Sequence, residues 1–208
     1  MDFNLYLITD RKLLTVHSSL LATVEEALKG GLKALQLREK DLGTRELLEL
    51  AYKMRELTGR YNAKLFINDR LDIALCVNAD GVHLGQNSIP PDAVRKAVKR
   101  KLLIGVSTHS LKEAKDAEKA GADFITFGPV YKTPSKLKYG LPVGIEALRE
   151  VCKKIRLPVF AIGGVNINRV SELRQAGAYG VALISALLCA GDIREMTRKF
   201  MSSWEMNK

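Results

Sequence analysis

The chain has 208 residues, of which 47% are hydrophobic and 27% charged, and its formal net charge is +10. Its apolar runs are all shorter than the roughly 18 residues of a membrane span, and its start lacks the pattern of a signal peptide, so a cytoplasmic protein without membrane association is expected. The basic residues are spread along the chain, and their densest group, at 95–101, lies at the end of a predicted helix; this distribution argues against a nucleic-acid partner and fits anionic phosphate substrates.

Two hydrophobic periods alternate along the chain. Short apolar runs predict strands at 3–9, 34–37, 64–67, 81–84, 102–106, 124–127, 159–162 and 180–184. Amphipathic stretches predict helices at 20–28, 44–58, 71–77, 91–98, 111–120, 145–155, 168–176 and 192–200. Strand–helix units in this number and order are typical of an α/β fold of the (β/α)₈ TIM-barrel class, in a single domain covering 1–208. An open doubly wound sheet is the alternative, and the strand count favours closure.

Short glycine-containing segments join predicted helices to the strands that follow them. They lie at 30–31, 79–81, 120–123 and 176–180. Glycine supplies the left-handed turn that ends a helix, and small neighbours let helix and sheet pack closely. The similarity of these joints supports a repeated βα unit.

The three cysteines, Cys76, Cys152 and Cys189, are far apart and lack the spacing of metal ligands. We therefore expect them to be small buried hydrophobic residues in a reducing compartment.

In such a barrel the functional groups come from the carboxyl ends of the strands and from the loops after them. After the second predicted strand, alternation places Gln36, Arg38 and Lys40 on one side, toward the barrel mouth. An amide and two cations on one face suit a diphosphate and a heterocycle. A strand end with ordinary surface charges would have the same pattern.

The third and fourth strands add an acidic and an imidazole group. Asn68 and Asp69 end the third strand, where they can orient a heterocycle and hold Mg²⁺ through oxygen. Asp69 could equally cap the helix that begins near Leu71. His83 lies inside an apolar strand, which favours a hydrogen-bonded core histidine over a catalytic base.

Hydroxyl groups and a lysine follow the fifth and sixth strands. The hydroxyls at 107–110 can bind phosphate or cap the next helix. After the sixth strand, Thr133, Ser135 and Lys136 lie in a long loop and form a candidate anion grip. A loop of this length in a tight barrel indicates function, and the sequence leaves open whether 132–140 closes as a lid.

Glycines and a serine follow the last two strands. Gly163 and Gly164 end the seventh strand, and Ile184 and Ser185 end the eighth. In barrels of this kind these two loops commonly hold a phosphate through backbone N–H groups and a short helix.

Taken in order, these segments resemble the thiamine phosphate synthase family, which also contains the thiazole tautomerases. The matching segments are QLREK at 36–40, INDRLDIA at 67–74, GVHLGQ at 81–86, GVSTHS at 105–110, FGPVYKTPSK at 127–136, AIGGV at 161–165 and ISA at 184–186. The resemblance implies a transferase that condenses hydroxymethylpyrimidine diphosphate with a (carboxy)thiazole phosphate. The products would be thiamine phosphate and diphosphate, with Mg²⁺ as cofactor and no protein nucleophile.

The resemblance also implies a role for each matching position. The pyrimidine diphosphate would contact Gln36, Arg38, Lys40, Asn68, Ser107 and Lys136. The thiazole partner would contact Thr133 and Ser135, and its phosphate Gly164, Ile184 and Ser185. The groups that stabilise the leaving diphosphate, and so carry the catalysis, would be Arg38, Lys40, Ser107 and Lys136. Asp69 would hold Mg²⁺.

Ser88 departs from the pattern of the family. The synthases usually place there an acidic residue, two positions after Gly-Gln, as a second Mg²⁺ ligand; a serine hydroxyl anchors the metal with less charge. Against the tautomerases, Pro129 occupies a position where at least some of them carry a histidine. A thiazole tautomerase, and a catalytically silent regulatory protein that binds thiazole phosphate, are the alternatives. Assembly into a homo-oligomer is left open by the sequence.

Overall fold

A computed structural model describes residues 1–14, 19–99, 101–133 and 141–205 of the chain. The strands are β1 (Leu5–Ile8), β2 (Ala34–Leu37), β3 (Lys64–Asn68), β4 (Gly81–Leu84), β5 (Leu103–Thr108), β6 (Phe124–Phe127), β7 (Val159–Ile162) and β8 (Gly180–Leu183). All neighbours pair in parallel, and β8 pairs with β1, which closes the sheet into a barrel. The predicted TIM barrel is confirmed, and the open-sheet alternative is wrong.

Helices follow the strands around the outside of the barrel. They are α1 (Leu20–Lys29), α2 (Thr44–Arg60), α3 (Leu71–Cys76), α4 (Pro91–Ala97), α5 (Leu111–Lys119), α6 (Gly144–Lys154), α7 (Val170–Gln175), α8 (Ser185–Leu188) and α9 (Ile193–Glu205). Among the described residues, the 3₁₀ helix Arg11–Leu13 and the short helix α8 are additional to the predicted elements. The predicted helix 168–176 is a 3₁₀ helix, Ile167–Arg169, followed directly by α7. Within the described ranges, each helix is too short or too polar to cross a bilayer.

Successive residues of each strand alternate between the helices and the barrel interior. Leu5 and Leu7 of β1 belong to the core shared with the helices, whereas Tyr6 and Ile8 belong to a second core inside the barrel. Both faces are therefore buried, which explains why the strands read as continuous apolar runs.

The lower interior of the barrel is filled by aromatic rings, here called the aromatic floor: Tyr6, Phe66, Phe124 and Phe160. Tyr6 meets Phe66 and Phe124 edge to face, with ring centroids 5.3 and 5.5 Å apart. Such contacts add about 0.5–1.5 kcal/mol per pair beyond area burial. An added Cβ would overlap one of these rings at Gly81, Gly105 and Gly180. The floor is therefore packed with side chains, and a ligand must bind above it.

The joints between helices and strands follow the prediction at three places. Left-handed glycines with φ of 102°, 89° and 93° stand at Gly31, Gly121 and Gly177. At the joint before β4 the left-handed residue is Asn78 instead, with φ of 50°. Gly81 already belongs to β4, and its missing Cβ makes room for the ring of Phe66.

The expectation of buried cysteines is wrong. Cys76 and Cys189 are exposed, and Cys152 is half-buried. Cys76 is the last residue of α3, and Cys189 follows α8 directly, so both lie at helix ends that face solvent. Burial raises the pKa of the Cys152 thiol to about 11, so this thiol is protonated at neutral pH.

Candidate active site

A cleft of about 630 Å³ opens at the carboxyl ends of the strands, above the aromatic floor. The cleft is lined by every predicted site residue that the structure describes: Gln36, Arg38, Lys40, Asn68, Asp69, Ser88, Ser107, Thr133, Gly164, Ile184 and Ser185. Ser135 and Lys136 lie outside the described residues, as does most of the segment 132–140. Residues far apart in the sequence thus meet in one cavity, as the strand-end rule for barrels predicts.

Three predicted ligand-binding residues lie at and just beyond the end of β2. Gln36 is still within the strand and 1% exposed, and its amide nitrogen donates to the hydroxyl of Tyr6 at 3.2 Å. Arg38 and Lys40 follow the strand, and the backbone N–H of Arg38 donates to Thr9 at 2.9 Å. The two cations therefore extend from a backbone that is fixed to the end of β1.

Glu39 is a buried carboxylate between these two cations, and sequence reasoning missed it. It is 5% exposed, and one of its oxygens accepts from the backbone N–H of Arg11 at 3.1 Å. Burial raises the pKa of Glu39, while contacts with Thr9 and Arg11 oppose the rise. Glu39 therefore ties the loop after β2 to the 3₁₀ helix after β1. The sequence does contain a signal for this role: alternation places Glu39 on the opposite side from Arg38 and Lys40, away from the barrel mouth.

Asp69 adopts a left-handed backbone conformation at the end of β3, with φ of 64°. Its N–H donates to the carbonyl of His83 at 2.8 Å, and its exposed side chain lines the cleft. The N-cap of α3 is Arg70, with no side-chain capping bond, so the predicted capping role of Asp69 is wrong. A non-glycine residue at positive φ costs on the order of 1 kcal/mol, and such strain is concentrated at functional sites.

Arg70 is a neighbouring cation that also lines the cleft, but its charge is already paired. Its guanidinium makes an ion pair with Asp72 at 2.6 Å and donates to Thr44 at 3.0 Å. This pairing raises the pKa of Arg70. Arg38 and Lys40 are therefore the better candidates for binding an anion.

The oxygen ligands available to a metal are few. Ser88 accepts from the backbone N–H of Gly85 at 2.7 Å, which holds the turn after β4. Within the described ranges, no group of three or more His, Cys, Asp or Glu side chains could hold a metal ion. Asp69 offers an exposed carboxylate, and Ser88 offers the remaining lone pair of its hydroxyl. This donor set does not make an all-protein metal cage.

The hydroxyls after β5 have separate partners. Ser110 caps α5 by accepting from the N–H of Glu113 at 3.2 Å, and Thr108 donates to the carbonyl of Thr126 at 3.0 Å. The predicted phosphate contact therefore narrows to Ser107, which lies half-buried in the cleft wall.

His83 is a hydrogen-bonded core histidine, as expected. It is 2% exposed, its Nδ1 lies 3.4 Å from the hydroxyl of Tyr6, and its Nε2 lies 3.0 Å from the hydroxyl of Ser107. Burial, and after it the positive charge of Arg38, lowers the pKa of His83 to about 3. The ring is therefore neutral at physiological pH.

The opposite wall of the cleft is built from backbone. Gly163 and Gly164 have φ of 91° and 66°, which only glycine adopts readily. An added Cβ would overlap Pro129 at the first position and would lie 2.8 Å from the Cβ of Tyr131 at the second. The glycines were expected to admit a ligand, and the structure adds a second reason: the loop after β6 packs against them.

Arg169, which sequence reasoning also missed, holds this glycine loop. Its guanidinium stacks 4.1 Å from the centre of the Tyr131 ring and donates to the carbonyl of Gly164. The Tyr131 hydroxyl donates to Glu172 at 2.5 Å, and burial together with Glu172 raises the pKa of Tyr131 to about 12. No local motif marks Arg169, because the ring on which it stacks, that of Tyr131, lies on the loop after β6.

Comparisons with known proteins agree on one family. Residues 5–187 match the family model described as thiamine monophosphate synthase. The chain is 54% identical over 206 residues to a Geobacter sulfurreducens protein provisionally named a thiamine-phosphate synthase, covering 97% of this chain and 94% of that protein. It is 43% identical to the thiamine-phosphate synthase of Syntrophomonas wolfei, covering 99% and 98%. The solved structure of thiamine phosphate pyrophosphorylase from Pyrococcus furiosus superposes with a TM-score of 0.89 at 39% identity, covering 98% and 96%.

Proposed function

The chain belongs to the thiamine monophosphate synthase family, and from this premise we propose that it condenses hydroxymethylpyrimidine diphosphate with a thiazole phosphate to give thiamine phosphate and diphosphate. One observation carries the proposal: a single cleft has Arg38 and Lys40 on one wall and the Gly163–Gly164 backbone on the other. Two anionic groups on two substrates need two such sites facing each other.

The reaction transfers a pyrimidinylmethyl group from an oxygen of the diphosphate to the nitrogen of the thiazole. The bond from the methylene carbon to the diphosphate oxygen breaks, and its electron pair leaves with the diphosphate. The electron-rich pyrimidine stabilises the resulting cation, and the thiazole nitrogen donates its lone pair to the same carbon. Arg38, Lys40 and Ser107 stabilise the negative charge that builds on the leaving group, which is electrostatic catalysis without a protein nucleophile. Lys136 is proposed for the same role.

The second substrate is held by the opposite wall. The backbone at Gly164 and Ile184 and the hydroxyl of Ser185 bind the thiazole phosphate, while Thr133 and Ser135 contact the ring. Asn68 and Gln36 orient the pyrimidine. Holding the two reacting atoms together removes much of the entropic barrier of a bimolecular reaction.

Mg²⁺ fits this cleft as an ion that arrives with the diphosphate. Mg²⁺ is usually bound by one or two carboxylates together with substrate phosphates, and Asp69 with Ser88 would hold it in that way. When bound, the ion neutralises charge on the leaving diphosphate. The exposed carboxylate of Asp69, placed by a strained backbone at the cleft, is the feature that supports this role.

The test is incubation of the purified chain with both phosphorylated substrates, with and without Mg²⁺. We expect thiamine phosphate and diphosphate in equal amounts, formed only with Mg²⁺, and no product when either substrate is omitted. Isomerisation of a carboxythiazole phosphate without Mg²⁺ would instead indicate a tautomerase. Tight binding of thiazole phosphate without turnover of either substrate set would indicate the silent regulatory protein.

Three further points accompany the proposal. A cytoplasmic location and the absence of nucleic-acid binding stay predictions, and the sequence leaves assembly into a homo-oligomer open. Cell fractionation, an electrophoretic shift assay and light scattering address them in turn.

A further inference from the structure

Four side chains beneath the cleft form a continuous hydrogen-bonded chain, here called the Tyr6–His83 relay: Gln36, Tyr6, His83 and Ser107. We propose that Tyr6 and His83 are positioning residues that turn the hydroxyl hydrogen of Ser107 toward the cleft, so that Ser107 acts there as a donor. The inference rests on the proposed function in one respect: the anion that receives this hydrogen bond is the substrate diphosphate.

The relay crosses the barrel interior beneath the substrate-binding surface. Gln36 donates to Tyr6 at 3.2 Å, the Tyr6 hydroxyl lies 3.4 Å from Nδ1 of His83, and Nε2 of His83 lies 3.0 Å from Ser107. The partners are 30, 77 and 24 residues apart in the sequence. Gln36, Tyr6 and His83 are buried, and Ser107 is the member that is half-buried at the cleft.

The direction of the relay follows from counting donors. The Gln36 amide occupies the Tyr6 oxygen as an acceptor, so the phenol hydrogen is free to point at Nδ1 of His83. A neutral imidazole carries a single N–H, and with Nδ1 accepting, that hydrogen is on Nε2. His83 therefore donates to the oxygen of Ser107, and the Thr126 hydroxyl approaches the same oxygen at 3.5 Å. With its oxygen accepting from inside the barrel, Ser107 has its own hydrogen left for the cleft.

Both central groups hold the protonation state that this direction requires. Burial raises the pKa of Tyr6 well above its usual value, so the phenol keeps its hydrogen. His83 is 2% exposed, and its two ring nitrogens face the hydroxyls of Tyr6 and Ser107, so a buried neutral ring satisfies both contacts. Reversing the relay requires the hydrogen of His83 to move from Nε2 to Nδ1 and the hydroxyls of Tyr6 and Ser107 to rotate, whereas Gln36 donates to Tyr6 in either case. The tautomer of His83 therefore sets the orientation of the Ser107 hydroxyl.

The Tyr6 hydroxyl is not needed for packing. Its ring meets Phe66 and Phe124 as a phenylalanine ring would, and burying a polar group without a partner costs about 1–3 kcal/mol. A phenylalanine at this position would complete the aromatic floor without that risk. We therefore assign the Tyr6 hydroxyl to the hydrogen bond with His83. The hydroxyl of Ser107, which then donates into the cleft, suits an anionic ligand.

The first test reads the tautomer of His83 directly in the wild-type chain. The chain has three histidines, so long-range proton–nitrogen correlation spectra of ¹⁵N-histidine-labelled protein are simple, and His83→Gln assigns the signal. We expect a neutral ring with the hydrogen on Nε2 at neutral pH. A hydrogen on Nδ1, or an imidazolium, overturns the relay. This measurement needs no turnover, so it stands even if the proposed reaction is not found.

The second test removes the Tyr6 hydroxyl and compares the same change elsewhere. Tyr179→Phe is the matched control, because its hydroxyl donates to the carbonyl of Met1, away from the cleft. Tyr6→Phe should lower kcat by about tenfold with KM within about twofold, and should mix the His83 tautomers. Tyr179→Phe should leave kcat and the His83 signal unchanged. An unaltered kcat in Tyr6→Phe overturns the inference.

A double substitution separates positioning from a general structural effect. Once Ser107→Ala has removed the hydroxyl, Tyr6→Phe should cost little more, because both act through one hydrogen bond. Independent, multiplying losses would mean that Tyr6 acts elsewhere. Free diphosphate carries the negative charge that the substrate's diphosphate acquires only as it leaves, so calorimetry with inorganic diphosphate should show weaker binding to Ser107→Ala and Tyr6→Phe than to the wild type even where KM is unchanged. Equal binding in all three contradicts the relay, whereas a wild type that binds diphosphate but makes no thiamine phosphate contradicts only the proposed function.

Discussion

The two walls of the cleft are built in different ways. The wall from β2 to β5 presents side chains, among them Arg38, Lys40 and Ser107, whereas the wall from β7 and β8 presents the backbone of Gly163–Gly164 beside the apolar Ile162. On the first wall the chemistry depends on residue type. On the second it depends on backbone conformations that glycine adopts and on packing against the loop after β6.

This difference has an energetic consequence. Side chains that extend into a cleft can be truncated with little loss of stability, because few buried contacts depend on them. A left-handed glycine pressed against another loop cannot be replaced without strain, so binding and folding are coupled there. We therefore expect substitutions on the two walls to affect different kinetic constants and to differ in their cost to stability.

The largest expected effect is at Arg38. Arg38→Ala should lower kcat/KM by about 10²–10³-fold, because it removes a cation that stabilises the leaving diphosphate, while the melting temperature stays near that of the wild type. Steady-state assays and thermal melts check this. Arg60→Ala, at a side chain that is 60% exposed and 4.0 Å from Glu25, is the control and should be silent. Near-normal turnover of Arg38→Ala would contradict the proposed role.

Gly164→Ala should affect the other wall, both in binding and in stability. The new Cβ meets Tyr131 at positive φ, so we expect KM for the thiazole phosphate to rise about tenfold and the free energy of unfolding to fall by about 1–3 kcal/mol. KM for the pyrimidine diphosphate should not change. Gly31→Ala is the control, because it also has positive φ but nothing within 4 Å, so it should lose stability alone. Equal changes in both KM values would remove the distinction between the walls.

Arg169→Ala should have a smaller effect of the same kind. It removes the guanidinium that stacks on Tyr131 and holds the Gly164 carbonyl, so KM for the thiazole phosphate should rise about threefold to fivefold with kcat nearly unchanged. Arg149→Ala serves for comparison, since Arg149 also donates to a backbone carbonyl, that of Gln175, outside the cleft. A fall in kcat without a change in KM would place Arg169 in a different role.

The smallest expected effect is at Ser88. Ser88→Asp should lower the Mg²⁺ concentration for half-maximal activity by about twofold to threefold, since a carboxylate binds Mg²⁺ more strongly than a hydroxyl and can still accept from Gly85. Ser88→Ala separates this effect from loss of the turn contact and should not improve Mg²⁺ use. No change in Ser88→Asp would mean that residue 88 is not beside the metal.

Much of the fold could be predicted from the sequence, because periodicity reports burial. Four predicted strands, 34–37, 81–84, 124–127 and 159–162, have the observed bounds, since each is an apolar run between turn-forming residues. The ordered strand–helix units then fix which ends of the strands meet. For that reason the rule about carboxyl ends gathers Gln36, Asn68 and Ser107 into one cleft without any knowledge of distances.

What the sequence did not determine are the partners of individual side chains. A strand pattern indicates that His83 points inward, but the contacts with Tyr6 and Ser107 join residues 77 and 24 positions apart. The same holds for Glu39 with Arg11 and for the stacking of Arg169 on Tyr131.

The amino-acid sequence by itself determined the barrel and the residues at its mouth, because hydrophobic period and strand order are local properties of the chain. Only the tertiary structure decided that Asp69 faces the cleft rather than capping α3, that the cysteines lie at or near the surface, and that a neutral histidine lies beneath Ser107. These outcomes depend on which loops pack together and on how closed packing sets burial, and neither is encoded in any single segment.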